Sequence, residues 1–463
     1  MDKLVPTIGL EIHVQLATKS KMFCRCDNNA EGKAPNTVVC PVCMGFPGTL
    51  PVTNVVAVEW GAKAALALGC QINAFQRFDR KNYFYPDLPK GYQISQFFFP
   101  VGENGKITID YLPETGQDKA EFTTRIKRVH LEEDAGKLVH AKDSTLVDFN
   151  RCGTPLLEIV TEPDIHSPRE AKAFIQELQR IVRALGISQA DMEKGHLRVD
   201  ANISMAPIGS KTLGTLVELK NMNSFRFVEK ALDYEVNRQT EVIQGGGKII
   251  KETRGWDEKN NTTLAQRSKE EFNDYRYFPE PDLPPIVLME LDIKKWQTEL
   301  VNLPAALRQA AAEKGLSYGR TVELQEAGQL ARLINLLQVD DINSTLAANW
   351  IAKTWTDDNQ LINFLQTIEQ HSLSTGEANQ LYGLANKSGQ LPGELVGQIE
   401  KIDTATIEKA VAEVLAVHPE AVVEYKAGEK KVVGFLMGQI MAQLHGKGDA
   451  GSIKSVLEAK LTE

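Results

Sequence analysis

The sequence predicts an α+β protein in which a mixed-sheet N-terminal domain precedes an all-α domain and a small helical tail domain. Strand-like alternation and helical segments mix through the first 292 residues without the regular rhythm of βαβ units. A proline-dense segment at 278–285 then interrupts regular structure, and helical periodicity follows it. These observations predict three domains, at 1–292, 293–403 and 404–463.

The first strand is predicted at 8–16, where apolar residues alternate with Glu11, His13 and Gln15. Further strands are predicted at 106–112, 122–131, 197–205 and 215–220, and helices at 55–68 and 167–185. The second helix has a clear start signal, because Ser167 is a typical N-cap, Pro168 follows it and Glu170 comes three residues after the cap.

After Asp292 the chain is predicted to be helical. The periodic segments are 296–302, 305–314, 322–337, 343–354, 361–370 and 375–387. From Thr404 onward three helical stretches are expected. The middle one has an apolar face made of Val433, Leu436, Met437, Ile440, Met441 and Leu444.

Composition and charge exclude several classes of protein. The chain has 463 residues and a formal net charge of -9, so it is not a basic nucleic-acid coat, and any RNA contact requires a local basic patch. No segment approaches the ~20 apolar residues of a membrane span, and the N-terminus does not resemble a signal peptide. We expect a cytoplasmic protein without a membrane partner.

Four of the six cysteines lie within twenty residues, at Cys24, Cys26, Cys40 and Cys43. A Cys-x-Cys pair followed by Cys-x-x-Cys is typical of two knuckles around one structural zinc ion. The alternative is that the four thiols are buried separately. The spacing favours a zinc loop over 24–43 in which all four cysteines are ligands.

Two polar clusters suggest a cation or phosphate site. Glu11 and His13 are two residues apart on a strand, so they project to the same side, although a solvent-facing strand often carries such residues without function. Glu132, Glu133 and Asp134 are consecutive acids that suit Mg²⁺, or alternatively a solvated turn. Further acids in or beside predicted strands are Glu158, Asp200 and Glu218.

The segment 78–87 combines Arg80 and Lys81 with Tyr83 and two more aromatic rings. Cations and rings together suit phosphates and stacked bases, but a loop whose rings pack on the sheet has the same composition. The sequence contains no Gly-x₄-Gly-Lys-Ser/Thr loop, no Gly-x-Ser-x-Gly elbow and no His-Glu-x-x-His motif. A P-loop nucleotide site and these two hydrolase sites are therefore excluded.

Several long segments resemble the GatB family, whose members are the GatB subunits of the bacterial aspartyl/glutamyl-tRNA amidotransferases. The matching segments lie at 8–16, 78–97, 128–137, 150–165, 197–204, 218–225 and 274–285, with looser matches at 347–351 and 434–449. The resemblance implies a cradle-like catalytic domain that uses ATP to phosphorylate the side-chain carboxylate of mischarged Glu-tRNA(Gln) or Asp-tRNA(Asn). Ammonia from a partner glutaminase (A) subunit then gives the amide, and a small C subunit completes the heterotrimer.

The resemblance also implies roles for individual residues. Glu11, His13 and Glu133 resemble a Mg²⁺-binding set. Asp200 and Glu218 complete an acidic cradle, and Lys81 is expected to meet phosphate. Glu158 is expected in a supporting position or in an ammonia channel. Substrate contacts are expected from Arg80, Tyr83 and Arg198. The tail domain is expected to contact tRNA.

Two other interpretations of the residues remain open. A non-catalytic, zinc-stapled RNA-binding protein would explain the cysteines and the basic aromatic segment, but not the distributed acids, which repel phosphate. A metal-dependent hydrolase built on Glu11, His13 and Glu133 would turn over without ATP. ATP consumption distinguishes the amidotransferase from both.

Overall fold

The computed structural model describes residues 3–113, 119–268, 274–300, 303–338, 342–400, 402–444 and 448–462. It divides into two compact units, residues 1–305 and 306–463. Residues 445–447 of the matching segment 434–449 lie outside the described residues. The predicted division into three domains stays a prediction.

In its described residues the first unit contains a large sheet and four α-helices. Its strands are β1 Leu4–Gln15, β2 Gln71–Ile72, β3 Phe75–Asn82, β4 Tyr92–Phe99, β5 Gly102–Tyr111, β6 Ala120–Glu133, β7 Lys137–His140, β8 Thr145–Asp148, β9 Pro155–Thr161, β10 Leu197–Pro207, β11 Val217–Lys220, β12 Glu252–Asp257, β13 Thr262–Ser268, β14 Phe278–Pro279 and β15 Ile286–Val287. Its helices are α1 Val55–Ala67, α2 Pro168–Ala184, α3 Phe225–Gln244 and α4 Glu290–Glu299.

The main path of the sheet runs β13-β12-β11-β10-β1-β9-β6-β4-β3-β14, with β15, β2 and β5 paired beside it. The pairing of β11 with β12 is parallel and its neighbours are antiparallel, so the sheet is mixed as predicted. The strands β7 and β8 form a separate hairpin. The polar segment around Lys81 belongs to strand β3 and the loop that follows it.

One face of the sheet packs against the apolar core of the first unit. Along β1, Ile8, Leu10, Ile12 and Val14 are buried and alternate with polar residues, because successive side chains of a strand point to opposite faces. Helix α1 contacts β5 and β6, while α3 contacts β10. A Cβ on Gly61 of α1 would lie 3.3 Å from the side chain of Leu131, so the glycine permits this close approach.

Helix α2 begins as predicted. The side chain of Ser167 accepts a hydrogen bond from the backbone N–H of Glu170, and Pro168 occupies the first helical turn. The carboxylate of Glu170 in turn accepts the backbone N–H of His166 at 2.8 Å. This arrangement satisfies donors that would otherwise be unpaired at the helix start.

The described part of the second unit is helical, as predicted. Its helices are α5 Pro304–Glu313, α6 Tyr318–Glu326, α7 Leu330–Leu336, α8 Ser344–Trp350, α9 Asp358–His371, α10 Thr375–Ser388, α11 Pro392–Leu395, α12 Thr404–Val417, α13 Pro419–Lys426, α14 Val432–Gln443 and α15 Ala450–Thr462. Helix α5 begins at the boundary between the units. One apolar cluster involves residues 307–395 and a second involves residues 407–461.

Two helix predictions were wrong in detail. The single helix expected at 322–337 is two helices, because Gly328 adopts a left-handed conformation (φ 69°) and ends α6. The tail contains four helices rather than three within its described residues. Its first stretch is interrupted at His418, and Pro419 begins a new helix because proline is favoured in a first turn and disfavoured inside a helix.

Candidate active site

The sheet face opposite the apolar core carries a row of ionisable side chains. Alternation places Glu11 and His13 of β1 on this face, as predicted, and Glu158 of β9 joins them. The register pairs His13 with Glu158 between β1 and β9, and Glu158 with His130 between β9 and β6. Residues far apart in the chain therefore meet side by side.

Two imidazoles and two carboxylates form the centre of this row. His13 Nε2 lies 3.4 Å from Glu132 Oε1 and 3.3 Å from Glu158 Oε2. His130 Nε2 lies 3.2 Å from Glu158 Oε2 and 3.8 Å from Glu132 Oε2. His130, Glu132 and Glu158 are buried, while His13 is half-buried. The cluster formed by these four residues and Glu11 is called the carboxylate–imidazole cluster below.

Mutual attraction keeps the centre of the cluster ionised. Burial alone lowers the pKa of an imidazole, but hydrogen bonds to Glu132 and Glu158 outweigh it and raise the pKa of His13 to about 10. At Glu158 burial opposes ionisation, yet attraction to His130 and a hydrogen bond from His13 hold the carboxyl pKa well below its usual range. The pKa of Glu132 is lowered for similar reasons, with burial again outweighed by both histidines.

Glu11 differs from its neighbours. Burial and repulsion from Glu158 raise the pKa of its carboxyl, with a further contribution from Asp200. The register pairs Glu11 with Asp200 of β10. A bound cation would stabilise the ionised form of such crowded carboxylates, because it relieves their mutual repulsion.

The acidic row continues onto β10 and β11. Lys220 Nζ lies 2.6 Å from Asp200 Oδ2 and 3.3 Å from Glu218 Oε1. Glu218 also accepts a hydrogen bond of 2.7 Å from Thr253. The structure thus places the predicted residues Asp200 and Glu218 together, joined by a lysine that the sequence analysis did not assign.

Lys81 lies on β3, near the opposite end of the row. Its ammonium is 4.9 Å from the ring centre of Tyr275 and 5.8 Å from that of Tyr83. Burial opposes its charge, but attractions from Glu132, Tyr277 and Glu158 together outweigh burial and raise the pKa of Lys81. A second cation also lies over an aromatic ring. The ring centres of Tyr277 and Phe97 are stacked 4.0 Å apart, and the Arg128 guanidinium lies 5.1 Å from the Phe97 ring centre.

Glu133 is not part of the cluster, contrary to its expected place beside Glu11 and His13. Alternation along the end of β6 directs it away from Glu132, and its carboxylate pairs with Lys90 and accepts the backbone N–H of Ile94 at 3.1 Å. Glu133 and Lys90 line a small cavity beside Cys24 and Cys43. Glu132, rather than Glu133, has its carboxylate beside His13.

The three predicted substrate contacts have different surroundings. Arg80 makes two hydrogen bonds to Glu280, at 2.7 and 2.8 Å, so its charge is already paired with a carboxylate. The Tyr83 hydroxyl donates to Gln93 at 3.4 Å. Arg198 lies beside His13 in the register of β10 with β1, and donates a hydrogen bond of 2.9 Å to the buried carboxylate of Asp134.

His130 was missed although it lies within the strand predicted at 122–131, and Glu132 was named only as one of three consecutive acids because that strand was predicted to end at 131. Extending it by two residues would have placed Arg128, His130 and Glu132 on one face by simple alternation, with Glu133 on the other. Tyr275 and Tyr277 lie just before β14, in the matching segment 274–285, but that segment has no periodicity that would indicate which side chains face the site.

The four clustered cysteines converge, as their spacing predicted. One sulfur atom from each of Cys24, Cys26, Cys40 and Cys43 lies within 4.8 Å of the others. The sulfurs of Cys40 and Cys43 are 3.8 Å apart. Tetrahedral zinc with Zn–S bonds of about 2.3 Å requires sulfur separations of about 3.8 Å, so the donor set fits zinc.

A buried lysine supports this cysteine cluster. Lys21 Nζ donates to the Val38 carbonyl at 2.7 Å and lies 3.9 Å from Cys43 Sγ. A hydrogen bond from Cys24, aided by attraction to Lys21, lowers the pKa of the Cys43 thiol to about 5 even though burial opposes this. Cys70 and Cys152 are buried outside the cluster.

The carboxylate–imidazole cluster also has a donor set that fits a divalent cation. Glu11, His13 and Glu158 each offer a ligand atom within 4.8 Å of the others, as do His130, Glu132 and Glu158. The carboxylates of Glu11, Glu132 and Glu158 supply the oxygen ligands that Mg²⁺ prefers.

Within the described residues, every helix is too short or too polar to cross a membrane.

Comparison with known proteins assigns the chain to a family. Residues 6–294 match the GatB/GatE catalytic domain, and residues 348–461 match the GatB domain. The chain belongs to the GatB family. Its first matched region contains every residue of the carboxylate–imidazole cluster and the four clustered cysteines.

Curated GatB-family relatives match over nearly the whole chain. The relative from Thermosipho melanesiensis is 44% identical over 98% of this chain and 99% of its own. The relative from Carboxydothermus hydrogenoformans is 42% identical over 100% of both chains, and that from Thermotoga sp. is 42% identical over 98% of both. Each is named as the B component of an aspartyl/glutamyl-tRNA(Asn/Gln) amidotransferase.

Proposed function

We propose that the chain is the kinase and transamidase subunit of a tRNA-dependent amidotransferase. Its substrates are mischarged Glu-tRNA(Gln), Asp-tRNA(Asn) or both, together with ATP and ammonia. The family match supports the reaction class. The observation that carries the assignment of the site is the convergence of Glu11, His13, His130, Glu132 and Glu158 on one face of the sheet.

The reaction has two balanced steps. A side-chain carboxylate oxygen of the aminoacyl group attacks the γ-phosphorus of ATP, forming an acyl phosphate and releasing ADP. Ammonia then attacks the acyl carbon, the bond to the phosphate oxygen breaks, and inorganic phosphate and one proton leave with the amide formed. The first step brings two anions together, and in the second step negative charge develops on the acyl oxygen and the departing phosphate, so the site must hold cations close to the reacting oxygens.

Residues of the carboxylate–imidazole cluster would bind the cation that the reaction requires. Glu11, Glu132 and Glu158, with His13 once its ring has given up its proton, would bind Mg²⁺, which supplies neutralisation of phosphate charge when bound. His130 orients Glu158 by its 3.2 Å contact. The ionised state of Glu132 and Glu158 suits this role, because an ion-binding carboxylate must be deprotonated.

Lys81 and the β10–β11 residues extend the site. The ammonium of Lys81 is held among tyrosine rings and stays charged, which suits a contact with the transferred phosphoryl group. Asp200, Glu218 and Lys220 form a polar continuation of the row, suited to holding ammonia or ammonium. Arg198 and Tyr83 remain proposed substrate contacts. The paired guanidinium of Arg80 suits a structural role better.

Glu158 takes a different role from the supporting or channel position expected at first. Its oxygen lies between both imidazoles, so we assign it to the cation-binding set. Glu133 takes a supporting role, in which it neutralises the buried Lys90 between the cysteine cluster and β4.

The cysteine cluster is proposed to bind a structural zinc ion. Four thiolates complete a tetrahedral coordination sphere, so no position remains for water or substrate. The sulfur separations fit such an ion. The site would hold together the loop between β1 and α1, which otherwise has little regular structure.

The proposed assembly follows from assigning phosphoryl transfer to this chain and ammonia production to a partner subunit. This chain has the phosphoryl-transfer site, so a glutaminase (A) subunit would supply ammonia and a small C subunit would complete the complex. We propose that the tail helices, from Thr404, contact tRNA. A tRNA substrate and clustered cysteines suited to a reducing compartment support a cytoplasmic location.

ATP turnover by the complex of this chain with its A and C partners tests the proposal. ADP release would be measured with ammonium present and with either Glu-tRNA(Gln) or uncharged tRNA. The proposal predicts ADP release that requires the mischarged tRNA and yields Gln-tRNA(Gln). Binding of tRNA without any ATP turnover would instead establish the non-catalytic RNA-binding alternative. Metal-dependent hydrolysis without ATP would establish the hydrolase.

A further inference from the structure

Lys21 is a buried lysine in the loop that carries the cysteine cluster. The residue is only 1% exposed, which is rare for lysine, because a buried charge is costly unless a counter-charge lies close to it. In the part of the chain that the structure describes, no carboxylate forms an ion pair with Lys21. The charge that balances its ammonium must therefore come from another kind of group.

The cysteine cluster is the group that can supply this counter-charge. The Lys21 ammonium donates to the Val38 carbonyl at 2.7 Å and lies 3.9 Å from Cys43 Sγ. The carbonyl accepts a hydrogen bond but has no net charge, and four neutral thiols would also leave the ammonium unbalanced. Four thiolates around one divalent zinc ion, by contrast, keep an excess of negative charge.

Contacts on several sides fix the position of Lys21. Its backbone N–H donates to the Cys26 carbonyl at 3.0 Å, so the residue is attached to the first cysteine pair. Its side chain reaches the second pair through Val38 and Cys43. Gly153 lies against the side chain, since a Cβ there would be 3.5 Å from Lys21 Cδ and 3.4 Å from Cys43 Cβ. The ammonium is thus held beside the sulfur atoms of the cluster.

We propose that the Lys21 ammonium is the counter-charge of a zinc-bound cysteine cluster and sets how tightly the chain binds zinc. The inference rests on the proposed zinc site. An ammonium has no free electron pair, so Lys21 does not bind the metal itself and acts through Cys43 as a positioning residue. Its attraction to the thiolates is strong because water is excluded from this part of the loop.

The zinc affinity of the purified full-length chain, measured by competition with a chromogenic chelator, tests the inference. Lys21→Met keeps a long unbranched side chain and removes its charge. We expect it to weaken zinc binding about 10- to 100-fold, as is common for residues that support metal ligands. Lys33→Met is the matched control, because Lys33 lies in the same loop but is exposed and paired with Asp27. It should bind zinc like the wild-type chain.

A double-mutant cycle with Cys26→His separates the charge of Lys21 from its packing. Histidine is a common zinc ligand, and a neutral imidazole in place of a thiolate halves the excess negative charge of the site. If Lys21 acts by charge, Lys21→Met should weaken zinc binding only about 3- to 10-fold in the Cys26→His chain. A role in packing alone would give the same loss in both chains.

Thermal midpoints show whether each variant folds. A folded Lys21→Met chain with wild-type zinc affinity, or equal losses in the two backgrounds, would overturn the inference and leave the zinc site standing. A folded, reduced wild-type chain that takes up no zinc would overturn the zinc site together with the inference.

Discussion

Glu158→Gln tests whether the carboxylate–imidazole cluster is held together by charge. The Glu158 oxygen lies 3.3 Å from His13 Nε2 and 3.2 Å from His130 Nε2. At an effective dielectric constant of about 20, each attraction amounts to about 5 kcal/mol before the cost of desolvation. Removing one partner of a buried ion pair typically costs about 3–5 kcal/mol. Because glutamine can still accept a hydrogen bond, we expect a loss of about 3 kcal/mol in the free energy of unfolding at pH 6.

The loss should depend on pH with a defined sign. Folding raises the pKa of His13 from 6.5 to about 10, so the protonated ring stabilises the fold fully below pH 6.5, and this contribution disappears as the pH rises through 10. The destabilisation by Glu158→Gln should therefore shrink to below about 1 kcal/mol at pH 9.5. Urea unfolding with EDTA present, at both pH values, measures it.

Glu121→Gln provides the matched control. Its carboxylate pairs with Lys119 in an exposed contact, and such pairs contribute at most about 1 kcal/mol. Equal stability of Glu158→Gln and the wild-type chain at pH 6, or a loss that grows with pH, would refute the charge-based account of the cluster.

Three further outcomes are expected. Cys43→Ser should lower the zinc content of the purified chain, measured by atomic absorption, whereas Cys70→Ser should not, because only Cys43 belongs to the cysteine cluster; equal zinc in both variants would contradict the site. Glu235→Gln should lower the free energy of unfolding in urea by about 3 kcal/mol above pH 5. Hydrogen bonds from Arg238, Gln239 and Thr263 outweigh burial and lower the pKa of the Glu235 carboxyl below 4.5, so this loss should vanish as the pH falls. Phe364→Ala should cost about 3–5 kcal/mol in unfolding of the helical unit, followed by tryptophan fluorescence, because the buried ring contacts Trp350 and Trp355; an unchanged midpoint would contradict this packing.

Local patterns in the sequence predicted much of the fold. Alternation along β1 identified the buried face and, on the other face, Glu11 and His13. The cap at Ser167 located the start of α2, and the cysteine spacing predicted the convergence of four thiols. Each of these features depends on neighbours in the chain, so a short window of sequence contains the necessary information.

The composition of the candidate site could not be predicted in the same way. Glu158 meets His13 only through the register of β9 with β1, which depends on pairing between distant segments. The resemblance indicated Glu133, whereas alternation favours Glu132 once β6 is known to continue to 133, and strand ends are the least certain part of a sequence-based assignment. A difference of two residues there decides which carboxylate faces the site.

The most direct measurement is therefore ADP release by the complete complex carrying Glu132→Gln or Glu133→Gln, with Glu-tRNA(Gln) and ammonium. We predict that Glu132→Gln lowers kcat about a hundredfold or more without unfolding the chain, because it removes a charge from the phosphoryl-transfer site. Glu133→Gln should lower thermal stability, because Lys90 loses its buried partner, while the folded protein retains ADP release. The opposite result, with Glu133→Gln inactive and Glu132→Gln at the wild-type rate, would contradict the assignment of the cluster.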